Sequence, residues 1–413
     1  MKERKLNTQE VERENKIEGA HIEFDVRMMR RALDLAVRGV GQVSPSPLVG
    51  CVIASDKGEI LGEGFYIYER VSHAEILALE EAGGRARGAT AYVTLEPHAH
   101  HGRTPPCTEA LMRAGVRRVV APIEDPNPLV SGSGFRQLVE AGVEVSVGLL
   151  AREASRQNEK YICAMLKSRP FVHLKLAASL DGRIDFGRQE EDEMNLAGGG
   201  EARWLTGTRA RGRVHELRHE HDAILIGANT VRADDPLLTD RSNRTRRRPL
   251  VRVVLDSKLS LSLESQLVKT ASDNNPLLVF ADEAQSHSGQ VEALTLRGVK
   301  VELLPWGTKD LAGVLQKLYA RSLQSVLVEG GARVAGAFLN KKLIDKVSFF
   351  IAPLIIGSAD TTTAINASSM RAMRLRDVTH ALHGEDVEIS GYLEGEQRRG
   401  RSLSQWFDGV VRE

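Results

Sequence analysis

The sequence predicts an α/β protein of two domains. Short apolar runs of strand length alternate with segments of helical periodicity, which favours at least partly parallel pairing. The alternation restarts after LKSRP, Leu166 to Pro170. And 413 residues exceed what one hydrophobic core ordinarily holds. The expected organisation is a polar tail over residues 1–22, domains over 23–167 and 168–395, and a second tail over 396–413.

The elements follow in order. Met1 to Asn15 is charged and lacks an apolar core, so it is neither a signal peptide nor a membrane anchor. The chain up to about Glu23 reads as a loose polar tail. DVRMMRRALDLAVRGVG has helical spacing and stops on glycine. SPSPLVG reads as a loop, VGCVIAS as a buried strand, HAEILALEEAGG as a helix and ATAYVTLEP as a strand broken by Pro97. TPPCTEALMRAGV reads as a helix with prolines in its first turn, where the missing N–H is harmless. RRVVAPIED is another strand. Beyond LKSRP, FVHLKLAASLDG is a strand running into a turn, and RARGRVHELRHEHD a polar helix. AILIGANTV, PLVRVVLDS, PLLVFAD, SVLVEGG and KVSFFIAPLIIG read as further strands. Gly187 to Ala202, acidic and then glycine-rich, reads as a flexible surface insertion. No internal repeat is evident.

Composition narrows the function. With 42% hydrophobic and 27% charged residues and a net charge of +1, the profile is that of a soluble globular protein. Such a charge gives no support to nonspecific nucleic-acid binding, so any basic patch is local, as for a phosphorylated metabolite. Three scattered cysteines, Cys51, Cys107 and Cys163, make no disulfide framework and point to a reducing cytoplasm. No apolar run reaches the length of a membrane span. Cys51 and Cys163 lie in apolar contexts and read as core residues.

Two stretches carry chemistry in the first half: SHAEILALE, Ser72 to Glu80, and LEPHAHHGRTPPC, Leu95 to Cys107. His-Ala-Glu on a helix, a strand ending in Glu-Pro, and a ligand pair around a Gly-Arg loop form the layout of zinc deaminases. Such sites take three protein ligands and keep a fourth position for water, whose pKa the metal lowers. His73 is the first ligand, and Glu75 the acid/base that is not a ligand. Cys107, at a helix start, is placed where the dipole favours thiolate. The usual first cysteine position holds His98, and histidine is also a good zinc ligand. His100 and His101 stay open as alternatives. A lone His-Ala-Glu means little, and a histidine-rich loop is usually only polar; order and spacing together carry the reading.

The run HAEILALEEAG…ARGATAYVTLEP…HHGRTPPC…AGVRRVV…DPNPLVSGSG resembles the bifunctional deaminase–reductases of riboflavin biosynthesis. The resemblance continues through FVHLKLAASLDGRI, RWLTG, DAILIGANTVRADDPLLTDR and LVEGGARVAGAFL, nearly the whole chain apart from the tails and the insertion. It implies a cytidine-deaminase-like α/β/α sandwich with a mixed sheet, then a dihydrofolate-reductase-like α/β domain. It implies substrate contacts from Ser46 and Arg103. Three positions in the deaminase half depart from the family: Ser46 in place of asparagine, Tyr66 in place of histidine, and His98 in place of cysteine.

In the second half no G-x-G-x-x-G follows a strand, so a Rossmann reading lacks support. SVLVEGGARVAG, Ser325 to Gly336, reads as a strand, a glycine pair and a helix, a junction that suits a phosphate as well as a simple tight turn. The resemblance implies NADPH on Gly330, Gly331, Ala332, Arg333 and Val334, with Ala177, Trp204, Thr230, Asp234 and Ser257. It implies substrate contacts from Arg218, Leu238, Arg241 and Glu329. The two arginines suit a ribose phosphate, because the guanidinium fork bonds phosphate bidentately. It sets Lys175 and Glu329 toward the pyrimidine and the reacting carbon. Ala202 stands where the family commonly has serine, which removes a substrate hydrogen bond.

The implied function is two steps on one chain. The first half deaminates 2,5-diamino-6-(5-phosphoribosylamino)pyrimidin-4-one with zinc. The second reduces the ribosyl group to ribityl with NADPH. A rival reading keeps the reductase and makes the first half a noncatalytic zinc-stabilised module. A nucleic-acid-editing deaminase is disfavoured by neutral charge and 5% aromatics. A purely NADPH-sensing protein is separated by turnover. The expected partners are a phosphorylated pyrimidine and further copies of the chain, with no nucleic acid and no membrane.

Overall fold

The computed structural model describes residues 8–102, 104–186, 204–357, 361–366 and 372–393, with side chains from Ile22 onward. Its contacts divide the chain into two compact units, with the division between Leu166 and Lys167.

The first unit contains helices α1 (Thr8–Val37), α2 (Ala74–Ala82), α3 (Cys107–Arg113), α4 (Ser133–Glu140) and α5 (Ala151–Gln157), and most of α6 (Glu159–Lys167). Its strands are β1 (Gly50–Ala54), β2 (Ile60–Phe65), β3 (Thr90–Val93), β4 (Arg118–Ala121) and β5 (Glu144–Val147). The sheet order is β2-β1-β3-β4-β5. β1 runs antiparallel to both β2 and β3, while β3, β4 and β5 are parallel, so the sheet is mixed. Strand side chains alternate between faces. Val52 and Ala54 of β1 pack with Met29 and Ala32 of α1, Ala154 of α5 and Ile162 of α6. Cys51 and Ile53 pack on the other face with Ala74 and Ala78 of α2, Leu111 of α3 and Leu138 of α4. This is the α/β/α sandwich the resemblance implies.

Three local expectations are corrected here. The polar segment up to Glu23 is helical from Thr8, because its Glu, Arg and Lys residues are good helix formers and need no apolar stripe. The prolines of TPPC precede α3 rather than opening it: Pro106 is the N-cap and Cys107 the first helical residue. Strand β3 ends at Val93, so Leu95 to Pro97 lie beyond it. Strand β2, ILGEGF, has little strand propensity; its glycines serve packing instead. A Cβ on Gly62 or Gly64 would meet the Ala78 or Ala74 carbonyl at 2.2 or 2.1 Å, so α2 lies directly on this backbone.

The second unit has nine strands: β6 (Phe171–Ser179), β7 (Ala223–Gly227), β8 (Val251–Leu255), β9 (Leu277–Asp282), β10 (Lys300–Leu304), β11 (Ser325–Val328), β12 (Lys346–Ala352), β13 (Leu375–His383) and β14 (Asp386–Leu393). Its described helices are α7 (Thr208–Glu220), α8 (Ala228–Asp234), α9 (Gln266–Lys269), α10 (Gly289–Leu296), α11 (Leu311–Tyr319) and α12 (Ala332–Asn340). The order is β10-β9-β8-β7-β11-β6-β12-β14-β13. Strands β6 to β12 are all parallel, and the β13–β14 hairpin closes one edge antiparallel. The run AILIGANTV is a strand only to Gly227; Ala228 begins α8. Helices cover both faces: α11 and α12 pack on Val172, Leu225, Val253 and Phe280, and α8 to α10 on Ile224, Ile226, Val254 and Val279. The insertion expected over Gly187 to Ala202 and the tail from Glu396 lie outside the described residues.

Candidate functional sites

In the first unit, His73 is the extended N-cap of α2 and makes no capping bond with its side chain, so the imidazole is free for another partner. Glu75 follows in the first helical turn and is 3% exposed. Among the described residues, His73, His98 and Cys107 bring one donor atom each to within 4.8 Å of one another. Cys107 Sγ lies 3.5 Å from His73 Nδ1, and the His73 and His98 rings are 4.5 Å apart between centroids. Thr104 Oγ1 sits 3.2 Å from His73 Nε2, which engages that nitrogen and leaves Nδ1 facing Cys107.

The chemistry of this donor set fits a zinc ion. Burial, with His73 and His100 nearby, pushes His98 down to about 4, so its imidazole is neutral and has a lone pair to give. Burial and then the nearby Glu75 push the Cys107 thiol up, against the thiolate expected from a helix start. That helix has only seven residues, and its dipole is outweighed. A bound cation inverts this balance, since a coordinating thiol is deprotonated outright. Among the described residues, Glu75 Oε2 is buried without a hydrogen-bond partner, an orphan that suits a catalytic proton carrier facing a water or ion.

His100 and His101 stand apart from the donor group. His101 is exposed and faces Glu109 at 3.5 Å. The exposed His100 stacks edge-on to His98 at 5.4 Å. Tyr66 is buried and meets His73 edge-on at 5.2 Å, so the family's histidine position is occupied by an aromatic wall. Ser46 lies half-buried in a turn, its N–H donating to the Val43 carbonyl at 2.9 Å. Among the described residues, its side chain makes no hydrogen bond to His73, Glu75, His98 or Cys107. Arg103 lies outside the described residues.

One anchor was not read from the sequence. The buried Glu96 carboxylate accepts the N–H groups of Asp125, Gly132, Gly134 and Phe135 at 3.0, 2.9, 2.8 and 3.4 Å. It thereby ties the DPNPLVSGSG loop to the segment that carries His98. The signal available was an acid beside glycines, which sequence alone does not connect.

In the second unit a cavity of about 1930 Å³ opens at the carboxyl ends of β6, β7, β8 and β11. That is where parallel sheets bind ligands. Ala177 on β6, Trp204 before α7, Thr230 and Asp234 on α8, Ser257 past β8, and Gly330, Gly331, Ala332, Arg333 and Val334 all line it. So do Lys175, Arg218, Leu238, Arg241 and Glu329. Gly331 caps the nine-residue α12, whose N-terminus therefore faces the cavity. This fits a dinucleotide phosphate. Ala202 lies outside the described residues.

Charge in this cavity is organised around Glu329. Arg218 Nε and Nη2 donate to its two oxygens at 2.7 and 2.9 Å, and Nη1 donates to the Thr239 carbonyl at 3.1 Å. Burial alone would raise Glu329, but the Arg218 guanidinium overrides it and holds the carboxylate below its ordinary range. The Arg218 fork expected on a phosphate is thus turned to Glu329. Arg241, bonded among the described residues only through Nε to Thr239, keeps both terminal nitrogens open. Burial lowers Lys175, partly countered by Glu329. Its ammonium makes no hydrogen bond among the described residues and lies 5.7 Å over the Phe350 ring. His215 also lines the cavity, with Nδ1 buried and unpartnered among the described residues. It stands three residues before Arg218, a helical spacing that carried no signal of its own in the sequence.

Comparison with known proteins agrees with both domains. Residues 22–122 match the cytidine and deoxycytidylate deaminase zinc-binding region, and residues 170–389 match the RibD C-terminal domain. The riboflavin biosynthesis protein RibD of Bacillus amyloliquefaciens is 39% identical over 361 residues, covering 87% of this chain and 92% of its own. That of Escherichia coli strain K12 is 40% identical over 348 residues, covering 81% and 89%. The structure of Acinetobacter baumannii RibD, form 1, superposes with a TM-score of 0.76 at 34% identity, over 91% of this chain and 100% of its own. A Thermotoga maritima structure titled as a diaminohydroxyphosphoribosylaminopyrimidine deaminase/5-amino-6-(5-phosphoribosylamino)uracil reductase does so with 0.76 at 34%, over 90% and 99%.

Proposed function

The chain belongs to the RibD family, the bifunctional deaminase/reductases of riboflavin biosynthesis, and we propose on that footing how its residues divide the two reactions. The family's deaminase half binds zinc and its reductase half uses NADPH. The Thermotoga maritima relative is named as a diaminohydroxyphosphoribosylaminopyrimidine deaminase and a 5-amino-6-(5-phosphoribosylamino)uracil reductase; on that footing the deaminase substrate here is 2,5-diamino-6-(5-phosphoribosylamino)pyrimidin-4-one, and the reductase acts on the aminouracil that results.

In the first unit His73, His98 and Cys107 would hold the metal, which when bound would supply a water of lowered pKa. Glu75 is placed to hold that water's proton at Oε2 and pass it to the amino nitrogen, so that the water oxygen bonds to the ring carbon in place of nitrogen and ammonia leaves. The observation that carries this reading is the buried, unpartnered Oε2 beside three assembled donors. The same observation disfavours a noncatalytic module, which has no use for a desolvated carboxylate there. Ser46 and Arg103 are the remaining substrate contacts of this unit.

In the second unit the cavity residues would hold NADPH, which when bound would supply a hydride for the ribosyl carbon that carries the amine. The ring C–O bond breaks, and its oxygen takes a proton from the Lys175 ammonium, whose lowered pKa favours transfer. Glu329, held ionised by Arg218, keeps Lys175 charged until then. Arg241 binds the phosphate with its open terminal nitrogens. A cytoplasmic location suits Cys51, Cys107 and Cys163, which are buried and form no disulfide, and a homo-oligomer without nucleic-acid or membrane partners is the working assembly. Among the described residues no helix is long and apolar enough to cross a membrane.

The test is a coupled assay on purified protein given the diaminopyrimidine and NADPH. One ammonia and one NADPH oxidised per substrate support the reading. NADPH oxidation only with aminouracil supplied, and no ammonia from the diaminopyrimidine, would reduce the first unit to a structural module.

A further inference from the structure

We propose that Lys258 and Lys309, together with the Ser257 and Thr308 hydroxyls, form a phosphomonoester site that selects NADPH over NADH by binding the 2′-phosphate of the adenosine ribose. The proposal rests on the reductase reading above and adds residues that the sequence alone did not assign.

The Ser257 and Thr308 hydroxyls are hydrogen-bonded to each other across the cavity floor. Ser257 follows β8, while Thr308 lies in the 3-10 turn Gly307–Lys309, which packs on β9. Each hydroxyl residue is followed directly by a lysine, and both lysines line the same cavity. Both lysines line the cavity and are exposed, and neither has a hydrogen bond or ion pair among the described residues. The nearby acids are already engaged. The buried Asp256 accepts from Ser260 Oγ and the Leu261 N–H at 3.0 and 2.8 Å, and Asp282 accepts from the Ala284 N–H at 3.0 Å. Arg232, tied to Asn229 and to Ser260, adds a third positive charge beside them. Two lysines without ion pairs among the described residues, lining the cavity with a hydroxyl pair, suit a dianionic phosphate.

Position in the sheet separates this corner from the other phosphates. Lys175 and Glu329 mark the reacting end, on β6 and just past β11. The α12 N-terminus beside β11 suits the dinucleotide's diphosphate. Strand β8 stands two places from β11, and β9 three. At about 4.8 Å per strand, that is roughly 10–15 Å from the reacting end. The part of an extended dinucleotide that lies that far from its nicotinamide, beyond the diphosphate, is the adenosine ribose.

The experiment compares wild type with Lys258→Ala/Lys309→Ala in two ways. Calorimetric titration with adenosine 2′-monophosphate should show at least tenfold weaker binding to the double variant, while adenosine binds the two proteins alike. The ratio of kcat/KM for NADPH over NADH should fall by at least tenfold, through KM rather than kcat. Lys258→Arg/Lys309→Arg should restore much of both, since charge is what matters. Equal weakening toward adenosine and adenosine 2′-monophosphate, an unchanged cofactor ratio, or no binding of adenosine 2′-monophosphate to wild type would each overturn the proposal. A wild-type protein that oxidises neither cofactor would instead overturn the reductase reading itself.

Discussion

The donor atoms of His73, His98 and Cys107 lie within 4.8 Å of one another beside a buried Glu75, whereas the second unit surrounds about 1930 Å³ with residues from four strand ends. The first site does its chemistry at one atom and works by desolvation and short range. The second must hold two large anionic molecules in line and works by distributed charge. Each unit therefore tolerates change in a different place. Three departures from the family, Ser46, Tyr66 and His98, fall in the compact site, and each replacement keeps a side chain able to ligate, stack or hydrogen-bond. In the open site the charged groups have separate roles. Arg218 is committed to Glu329, Arg241 is open to a phosphate, and Lys175 has no ion-pair partner among the described residues.

The largest effect expected is the loss of one reaction without the other. Glu75→Gln should lower deamination by about 10²–10⁴-fold, the range of a lost general acid–base, with zinc bound and reduction unchanged. If zinc leaves together with activity, Glu75 is a ligand and the division between shuttle and ligands is wrong. The matching change in the open site is smaller. Arg241→Ala should raise KM for the phosphorylated substrate by the loss of one charge-assisted contact, on the order of 1.5–3 kcal/mol, with little effect on NADPH affinity. Equal weakening of both ligands would show that the loop serves the cofactor as well.

The units also differ in how they hold a buried carboxylate, and acid should separate them. Asp345 is 2% exposed and held at about 2: burial alone would raise it, but Arg169 and Lys167 override that. Its folded pKa is depressed, so its stabilisation is present above the unfolded value near 4 and is lost as pH falls through about 2. Asp345→Asn should therefore cost about 2 kcal/mol at neutral pH, at 1.36 kcal/mol per pKa unit, and the deficit should shrink between pH 4 and 2. Asp125 is pushed up to about 6, mainly by burial, despite bonds from the Asn127 N–H and the Tyr161 hydroxyl. Its folded pKa is raised, so the sign reverses: relative stability is full below pH 4 and is lost as pH rises through about 6. Asp125→Asn should stabilise the protein at pH 7.5 by up to about 3 kcal/mol and have little effect near pH 4. Denaturant midpoints measured against pH would check both signs, and parallel profiles for the two variants would contradict them.

The smallest effect concerns orientation rather than chemistry. Thr104→Val removes the partner of His73 Nε2 and should weaken zinc binding by about tenfold, the low end for such supporting contacts, without abolishing it. Competition against a chelator reads this directly.

Much of this was legible because local signals agreed. SVLVEGGARVAG folds as the strand, glycine pair and helix that its pattern predicts. His-Ala-Glu sits at a helix start because the helical turn begins at Ala74. What escaped had no local signal. The glycines of β2 answer to α2, not to strand propensity. Strand β13 is a largely exposed edge, so its residues lack the alternation that marks a strand. Asp125, Glu96 and Thr104 matter through partners that only the folded chain supplies, and the turn carrying Thr308 is brought to Ser257 by the packing of β9.

The proposed three-donor zinc centre, with histidine in a cysteine's usual place, has a simple consequence for metal content. Zinc per chain, measured for His98→Ala, His100→Ala and His101→Ala, is the decisive quantity. Wild type, His100→Ala and His101→Ala should each carry one zinc per chain. His98→Ala should lose most of its zinc and still oxidise NADPH on the aminouracil. Full zinc in His98→Ala, with depletion in His100→Ala or His101→Ala, would show that a different histidine holds the metal.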